Sequence, residues 1–561
     1  MSDLDLVIRG GTVVDGTGAA GYSADVGIAG GKIVEIGKVA AGSARVIDAE
    51  GHIVSPGFID GHTHMDAQMH WDHLGTNSCW HGVSTVVMGN CGFSIAPMRK
   101  GQQALVARNL ERAEDISGAA MEAGIDFSWE GYDQYLDVVD ALPKGINHAA
   151  YVGHSALRTY AMGERAFEEE ASDDDVALMQ AELARGLDAG AMGLSTSRSD
   201  AHLTSDDRPV ASRLASRDEV AALVGSMKGR TGAIFELAQE IMEHGNPEDA
   251  AYWEWLKALT ISSGVATTYG VLGRFALGQI EFIDDVTAAG GRMFGQTHSR
   301  GVSSLSSFRT AFLFDSQPVW KDFRKQPLEV QGAQLRDPAI RAALISAVDN
   351  AVYGPASGAE GRPPEWHSFY YFDKPMPPYR SLAELAAERG AGHPLEVLFD
   401  LALETDMRAL FMQYLTRASD EETVRVMRHP SSIMTFSDSG AHVSQIADSS
   451  IQTHLLAYFC REKQLLSIPE AVEMITSRAA RAWGFADRGI LRQGFAADVN
   501  IFDPATVGPE MPEVVHDLPT GARRFSQRAK GFRATVVNGK VLTENGVHTG
   551  ALPGQLLRRR D

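Results

Sequence analysis

Cysteine is scarce in this sequence, and the scarcity limits where the protein can work. Only three of the 561 residues are cysteines, namely Cys79, Cys91 and Cys460. A disulfide framework is therefore excluded as the main source of stability, and a reducing compartment is favoured. Residues 1–5 also lack the basic and apolar segments of a secretion signal. We therefore expect a cytoplasmic protein.

Two further features are missing, a long apolar run and an excess of basic residues. No uninterrupted apolar stretch reaches the length needed to cross a bilayer. Asp and Glu number 72 against 51 Lys and Arg, which gives a formal net charge of −21. Such a chain repels nucleic acid and anionic membranes, so neither is an expected partner. Assembly into a homo-oligomer is compatible with this composition.

Short strand patterns separated by glycine turns occur at both ends of the chain. Val26–Ile28 and Lys32–Ile36 flank Gly30-Gly31, which is a two-residue hairpin signal. A similar pattern returns at Ala497–Phe502 and Ala534–Val537. Neither end has enough residues for a stable core of its own. We therefore predict one small β-sandwich domain formed by both termini, from residues 1–55 and 486–561.

Between the two ends, strand patterns alternate with helix patterns. Eight strands are predicted, at residues 58–66, 85–92, 148–154, 191–196, 233–237, 265–269, 292–298 and 433–438. This alternation predicts an α/β protein with a parallel (β/α)8 TIM-like barrel over residues 56–485, whose chemistry lies at the C-terminal ends of the strands. An insertion at about 302–430 exceeds a normal connection. Its aromatic residues from Trp366 to Phe372 form either a pocket wall or a core that anchors the insertion.

The first predicted barrel strand carries two histidines two residues apart. Because side chains alternate along a strand, His62 and His64 share one face with Asp60 and Asp66. Two imidazoles on one face can bind the same divalent cation, and a nearby carboxylate can bind it too or fix a histidine tautomer. The alternative is a solvated strand that carries two histidines by chance. The apolar residues at its start disfavour that interpretation.

Other polar residues also fall at predicted strand ends. Asp438 follows the eighth strand, where its carboxylate could bind the metal and accept a proton from water, or could cap a helix. His298 and Arg300 follow the seventh strand. Arg300 could bind a substrate carboxylate and His298 could polarise the scissile carbonyl. His154 could contact substrate or only hydrogen-bond its own strand end.

Several of these segments resemble a known family. Gly57–His64, together with the terminal β units, resembles the amidohydrolase superfamily. Three further segments resemble its N-acyl-D-amino-acid deacylase (D-aminoacylase) branch, namely Gly89–Phe93, Val152–Arg158 and Gly193–Ser197. The resemblance covers nearly the whole chain. It implies a barrel with a β-sandwich domain and metal-dependent hydrolysis of carbon–nitrogen bonds.

The resemblance also bears on the metal site. In that branch the cysteine after the second strand is a metal ligand, a role that falls on Cys91. The branch also has a histidine on the fifth strand and another on the sixth, where this sequence has Glu236 and Tyr269. We therefore expect one tightly bound zinc ion and not two. The expected ligands are His62, His64 and Asp438, with Cys91 close by and Glu236 as a further candidate.

The sequence therefore predicts a metal-dependent hydrolase with a small-molecule amide substrate, most simply an N-acyl amino acid. Asp438 would act as the general acid and base. One alternative is a hydrolase of cyclic amides, imides or small peptides, because the same residues could open such rings. Another is a non-catalytic scaffold that has kept the fold. The acyl group, the amino acid and its stereochemistry are not specified by the sequence.

Overall fold

The computed structural model describes residues 4–353, 362–445 and 448–559. It begins with five short strands, β1 (Leu6–Val13), β2 (Tyr22–Ala29), β3 (Lys32–Gly37), β4 (Arg45–Asp48) and β5 (Ile53–Pro56). β1 pairs antiparallel with β2 and parallel with β4 and β5. β2 and β3 meet at Gly30-Gly31, where φ is positive at both residues. This is the conformation that the predicted hairpin turn requires.

The barrel strands follow directly. Those before residue 298 are β6 (Phe58–Asp60), β7 (His62–Thr63), β8 (Val83–Met88), β9 (Asn147–Ala150), β10 (Val152–Gly153), β11 (Gly193–Ser197), β12 (Ile234–Ala238), β13 (Ala266–Gly270) and β14 (Met293–Thr297). β6 and β7, like β9 and β10, are one barrel strand interrupted by a single residue. Every pairing among them is parallel and follows chain order. Side chains at their C-terminal ends therefore meet on one face of the barrel.

The long insertion has a sheet and a core of its own. Its strands are β15 (Val302–Ser306), β16 (Phe369–Tyr371), β17 (Arg380–Ser381) and β18 (Phe411–Thr416), and they pair antiparallel. Phe369 and Trp320 are buried in a separate hydrophobic cluster, against which Trp366 packs. Of the two alternatives, this packing favours an aromatic core that anchors the insertion, and it disfavours a pocket wall.

Two further strands close the barrel. β19 (Ser432–Met434) pairs with β14, and β20 (Phe436–Ser439) pairs with β7. Along β20 the register is irregular, because Phe436 lies opposite His62 while Ser439 lies opposite Thr63. Ser437 and Asp438 are therefore extra residues that form a bulge. Bulges of this kind redirect side chains at barrel rims.

The C-terminal strands return to the first sheet. They are β21 (Val499–Phe502), β22 (Gly508–Pro509), β23 (Glu513–Val515), β24 (Arg524–Ser526), β25 (Ala529–Lys530), β26 (Phe532–Val537), β27 (Lys540–Glu544) and β28 (Val547–His548). β21 pairs antiparallel with β5, so strands from both ends form one nine-stranded sheet. The predicted fold class, a (β/α)8 barrel with a β domain formed by both termini, is confirmed. We propose domain boundaries near residues 55 and 485, because β5 ends at Pro56 and the last barrel helix ends at Trp483.

Helices cover the outside of the barrel and build the insertion. They are α1 (Gln103–Glu111), α2 (Gly118–Gly124), α3 (Tyr132–Ala141), α4 (His154–Met162), α5 (Asp173–Asp188), α6 (Arg217–Ser226), α7 (Ala250–Ser263), α8 (Ala276–Ala288), α9 (Pro318–Arg324), α10 (Leu328–Gln334), α11 (Pro338–Asp349), α12 (Leu382–Arg389), α13 (Pro394–Glu404), α14 (Asp420–Arg428), α15 (Ile451–His454), α16 (Ile468–Ile475) and α17 (Ser477–Trp483). α5 shows why they form here: Ser172 accepts a hydrogen bond from the Asp175 N–H, and Met179, Leu183 and Leu187 are buried. None of the described helices is long and apolar enough to cross a membrane.

Candidate metal centre

The two predicted histidines and the predicted cysteine meet at the C-terminal face of the barrel. One ligand atom from each of His62, His64 and Cys91 lies within 4.8 Å of the others, and all three residues are buried. Cys91 Sγ lies 3.4 Å from His62 Nε2. The Phe436 ring stacks on His62 with a centroid separation of 3.9 Å, which limits rotation of that imidazole. The three side chains can therefore bind one cation together.

Asp438 adds a carboxylate to this group. Its Oδ1 atom lies 3.2 Å from His62 Nε2 and 3.4 Å from His64 Nε2. Asp438 has φ of +53° within the bulge of β20, a conformation that aspartate tolerates better than most residues. Among residues 438–445 no helix begins, so the helix-capping alternative is wrong. The bulge instead directs the carboxylate at the two imidazoles.

The backbone around the cysteine is held in an unusual conformation. φ is positive at Gly89, Cys91 and Gly92. A Cβ atom on Gly92 would lie 2.9 Å from the backbone of Thr196 and Ser197, so only glycine fits there. Positive φ at a non-glycine residue costs about 1–3 kcal/mol and is common at functional sites. The strained turn presents the Cys91 thiol to the histidines.

These residues fit a divalent metal ion. Zinc binds imidazole nitrogen or carboxylate oxygen at about 2.0 Å and thiolate at about 2.3 Å, so neighbouring ligand atoms in a tetrahedron lie about 3.3–3.6 Å apart. The three pairs measured here lie 3.2–3.4 Å apart. In addition, His62 Nδ1–H donates to Gln296 Oε1 at 2.7 Å, which leaves Nε2 free to face the cluster. The donor set and the tautomer both suit a metal.

A cation would also stabilise the buried carboxylates around the cluster. Burial raises the pKa of Glu236 to about 7 and raises the pKa of Glu114 well above its usual value. Burial opposes ionisation of Asp438 too, but hydrogen bonds from His62 and His64 outweigh it and lower the pKa of that carboxyl well below its usual range. A bound cation would compensate several carboxylates at once.

Glu236 lies beside the cluster and contacts it indirectly. Its Oε2 atom accepts a hydrogen bond from the Cys91 N–H at 2.7 Å, and its Oε1 atom lies 3.8 Å from His62 Nδ1. Oε1 has no hydrogen-bond partner among the described residues. On the neighbouring strand Thr268 pairs with Glu236, whereas Tyr269 donates its hydroxyl to Gln279 O at 3.3 Å within the core. Thr268, and not the predicted Tyr269, is therefore the inward residue of β13, which is the sixth barrel strand.

The cluster opens into a cavity of about 120 Å³. Its lining includes the apolar residues Leu237, Met242 and Leu272 and the polar residues Glu114, Ser199, His202 and His442. Among the described lining residues there is no lysine or arginine. Sequence reasoning missed Glu114, His202 and His442. Only His442 carried a signal, because it lies four residues after Asp438.

Three residues predicted to contact substrate lie elsewhere. His154 is fully buried and contacts Thr196 Oγ1 at 2.8 Å and Glu219 Oε1 at 2.9 Å. Both ring nitrogens are thus occupied. β10 ends at Gly153, and His154 is the first residue of α4. The structure gives it a structural contact instead of the predicted substrate contact.

His298 and Arg300 are also buried and lie outside the lining of this cavity. Both face Asp448, at 3.5 Å from His298 Nε2 and 3.7 Å from Arg300 Nε. Arg300 also donates to Ser450 Oγ at 2.8 Å. Because both side chains face an internal carboxylate and lie outside the cavity lining, the structure does not place them in the predicted substrate contacts.

A closed (β/α)8 barrel with a His-x-His cluster at its C-terminal face defines a class of metal-dependent hydrolases. The chain belongs to the amidohydrolase family, whose sequence model matches residues 45–543. It is 29% identical to an N-acyl-D-aspartate deacylase of Alcaligenes xylosoxydans xylosoxydans, with 99% of this chain and 95% of the relative covered. It is 30% identical to an N-acyl-D-glutamate deacylase of the same organism, with 99% and 97% covered.

A solved structure also matches over the whole length. It is an N-acyl-D-glutamate deacylase from Bordetella bronchiseptica, complexed with zinc and a phosphonate inhibitor. The TM-score is 0.66 at 24% identity, with 99% of this chain and 100% of that chain covered. The predicted superfamily and its deacylase branch are therefore confirmed. This protein is a metal-dependent hydrolase of the amidohydrolase type.

Proposed function

We propose that this protein is a zinc-dependent deacylase that cleaves the amide bond of N-acyl amino acids. The observation that carries the proposal is the convergence of His62, His64, Cys91 and Asp438 at the wall of one cavity. The relatives are named as deacylases of N-acyl-D-aspartate and N-acyl-D-glutamate. N-acyl-D-amino acids are therefore the first substrates to test.

The donor set supports zinc. Two imidazoles, a thiol and a carboxylate form the mixed nitrogen, sulfur and oxygen set that zinc accepts in tetrahedral sites. Glu236 and Thr268 occupy the inward positions of the fifth and sixth strands, and neither is a histidine. We therefore propose one tightly bound ion. Glu236 would act beside it through Cys91 and His62.

Asp438 is the residue proposed to move the proton. When bound, a divalent cation supplies Lewis-acid activation of the attacking water and of the amide carbonyl. Asp438 would be ionised beside a bound cation, because a neighbouring positive charge favours the carboxylate. It can therefore accept a proton from the attacking water and deliver it to the leaving nitrogen. The apolar wall of Leu237, Met242 and Leu272 would exclude bulk water from the bound acyl compound.

A substrate panel tests the proposal. Zinc-loaded protein would be incubated with N-acetyl D- and L-amino acids, dipeptides and hydantoins, and the release of free amine would be measured. Asp438→Asn protein is the matched control. We expect hydrolysis of at least one N-acetyl amino acid by the parent protein alone. Ring opening of hydantoin without deacylation would favour the cyclic-amide alternative. Zinc binding without turnover of any compound would favour the non-catalytic scaffold.

A further inference from the structure

One buried carboxylate beside the metal cluster has no assigned role. Glu114 follows α1 and is 1% exposed. Its Oε2 atom has no hydrogen-bond partner among the described residues, and neither does His64 Nδ1. Glu114 Oε1 lies 3.8 Å from His64 Nδ1, and Glu114 Oε2 lies 3.9 Å from His442 Nε2. The carboxylate is therefore positioned between two imidazoles.

The surroundings of Glu114 leave it few ways to be stabilised. The charged groups that act on it most strongly are Asp438, Asp66 and Glu236, which are all carboxylates. Its ion-pair contacts within the described chain are the two imidazoles alone. Burying a carboxylate without hydrogen-bond donors is unfavourable, and these two imidazoles are the groups placed to donate to it.

The geometry of His64 leads to the same partner. His64 Nε2 faces Asp438 and the metal cluster, so only Nδ1 remains to make a second contact. Metal-binding histidines nearly always donate this other N–H to a carboxylate, a carbonyl or water. For His62 the acceptor is Gln296. For His64 the carboxylate of Glu114 is the group in the corresponding place.

The backbone ties His442 to the same residue. The His442 N–H donates to the Glu114 carbonyl oxygen at 2.6 Å. His442 has φ of +46° and lines the substrate cavity near Asp438. Glu114 therefore adjoins a metal ligand through one oxygen and a cavity residue through the other.

We propose that Glu114 is a positioning residue that accepts hydrogen bonds from His64 Nδ1–H and His442 Nε2–H. In this arrangement His64 presents Nε2 to the metal, and His442 is held at the cavity wall. The present separations are longer than hydrogen bonds, and they need to shorten by less than 1 Å. Such contacts commonly tighten when a site is loaded. The inference rests on the proposed function only in that His64 binds a metal.

Zinc affinity and stability of Glu114 variants test the inference. Glu114→Leu removes the hydrogen-bond acceptor and the buried polar group at similar volume. We expect its zinc affinity, measured by chelator competition, to fall about 10–100-fold. We also expect the metal-free variant to melt at a higher temperature than the metal-free parent, because an apolar side chain replaces a buried polar group that lacks a hydrogen-bond partner. A residue that serves only packing would not change the two quantities in opposite directions.

Two further variants complete the test. Glu114→Gln keeps an acceptor oxygen, so its zinc affinity should lie between those of the parent and the leucine variant. Glu122→Gln, on an exposed position of α2, should match the parent. Parent-like zinc affinity in both Glu114 variants would overturn the inference and leave the proposed function intact. A parent protein that binds no zinc would overturn both.

Discussion

Replacing Asp438 by asparagine separates its chemical role from its structural one. The substitution keeps the shape of the side chain but removes the charge that His62 and His64 stabilise in the carboxylate. Asparagine also tolerates positive φ, so the bulge of β20 should persist. The structure therefore predicts a variant that folds normally and lacks a proton acceptor.

The expected loss of activity is large compared with the expected loss of stability. Removal of general acid–base help typically costs 10²–10⁴-fold in kcat, which corresponds to about 2.7–5.5 kcal/mol of barrier. Asp438→Ala should lose as much activity and also about 1–2 kcal/mol of folding stability, because alanine is disfavoured at φ of +53°.

The assay compares kcat, zinc content and melting temperature for the parent and both variants. Activity is measured at saturating zinc, so that weakened metal binding is not mistaken for a lost proton acceptor. The reasoning would be refuted by an asparagine variant with parent-like zinc content and kcat within about threefold of the parent. A large fall in melting temperature for the asparagine variant would instead show that the carboxylate maintains the bulge.

Three further predictions follow from the site and the barrel. His62→Ala and His64→Ala should each lose bound metal and turnover without unfolding, and elemental analysis should find one tightly held zinc per parent chain. Gly92→Ala should destabilise far more than Gly101→Ala in thermal melts, because both have positive φ but only Gly92 meets nearby backbone. Burial lowers the pKa of His148 to about 4, so its contribution to stability is complete above pH 6.5 and falls as pH drops toward 4. Between pH 7.5 and pH 5, the free energy of unfolding measured in urea should therefore fall by about 2 kcal/mol less for His148→Asn than for the parent.

The sequence was informative wherever a signal was local. His62 and His64 share one strand, so their spacing alone indicates a common face. Asp438 could be proposed because it follows an apolar strand. Its bulge could not be foreseen, since it depends on the register with β7.

Residues brought in by tertiary structure escaped prediction. Glu114 lies beyond α1 in a connection without periodicity, and only folding brings it to His64. His154 was misassigned because a strand end and a helix start differ by one residue there. Tyr269 and Thr268 were likewise separated by a single position, which is enough to reverse the face of a strand.

The sheet shared by both ends of the chain has a consequence for synthesis. Ile53 pairs with Phe502, and ribosomes add about 5–20 residues per second. The edge of β5 that accepts β21 therefore waits roughly 20–90 s for its partner while the nascent barrel emerges. An unpaired strand edge invites pairing with other chains during that interval. Slow translation, or a high concentration of nascent chains, should therefore lower the soluble yield of this protein. The loss should be larger than for a barrel whose sheet partners are adjacent in sequence.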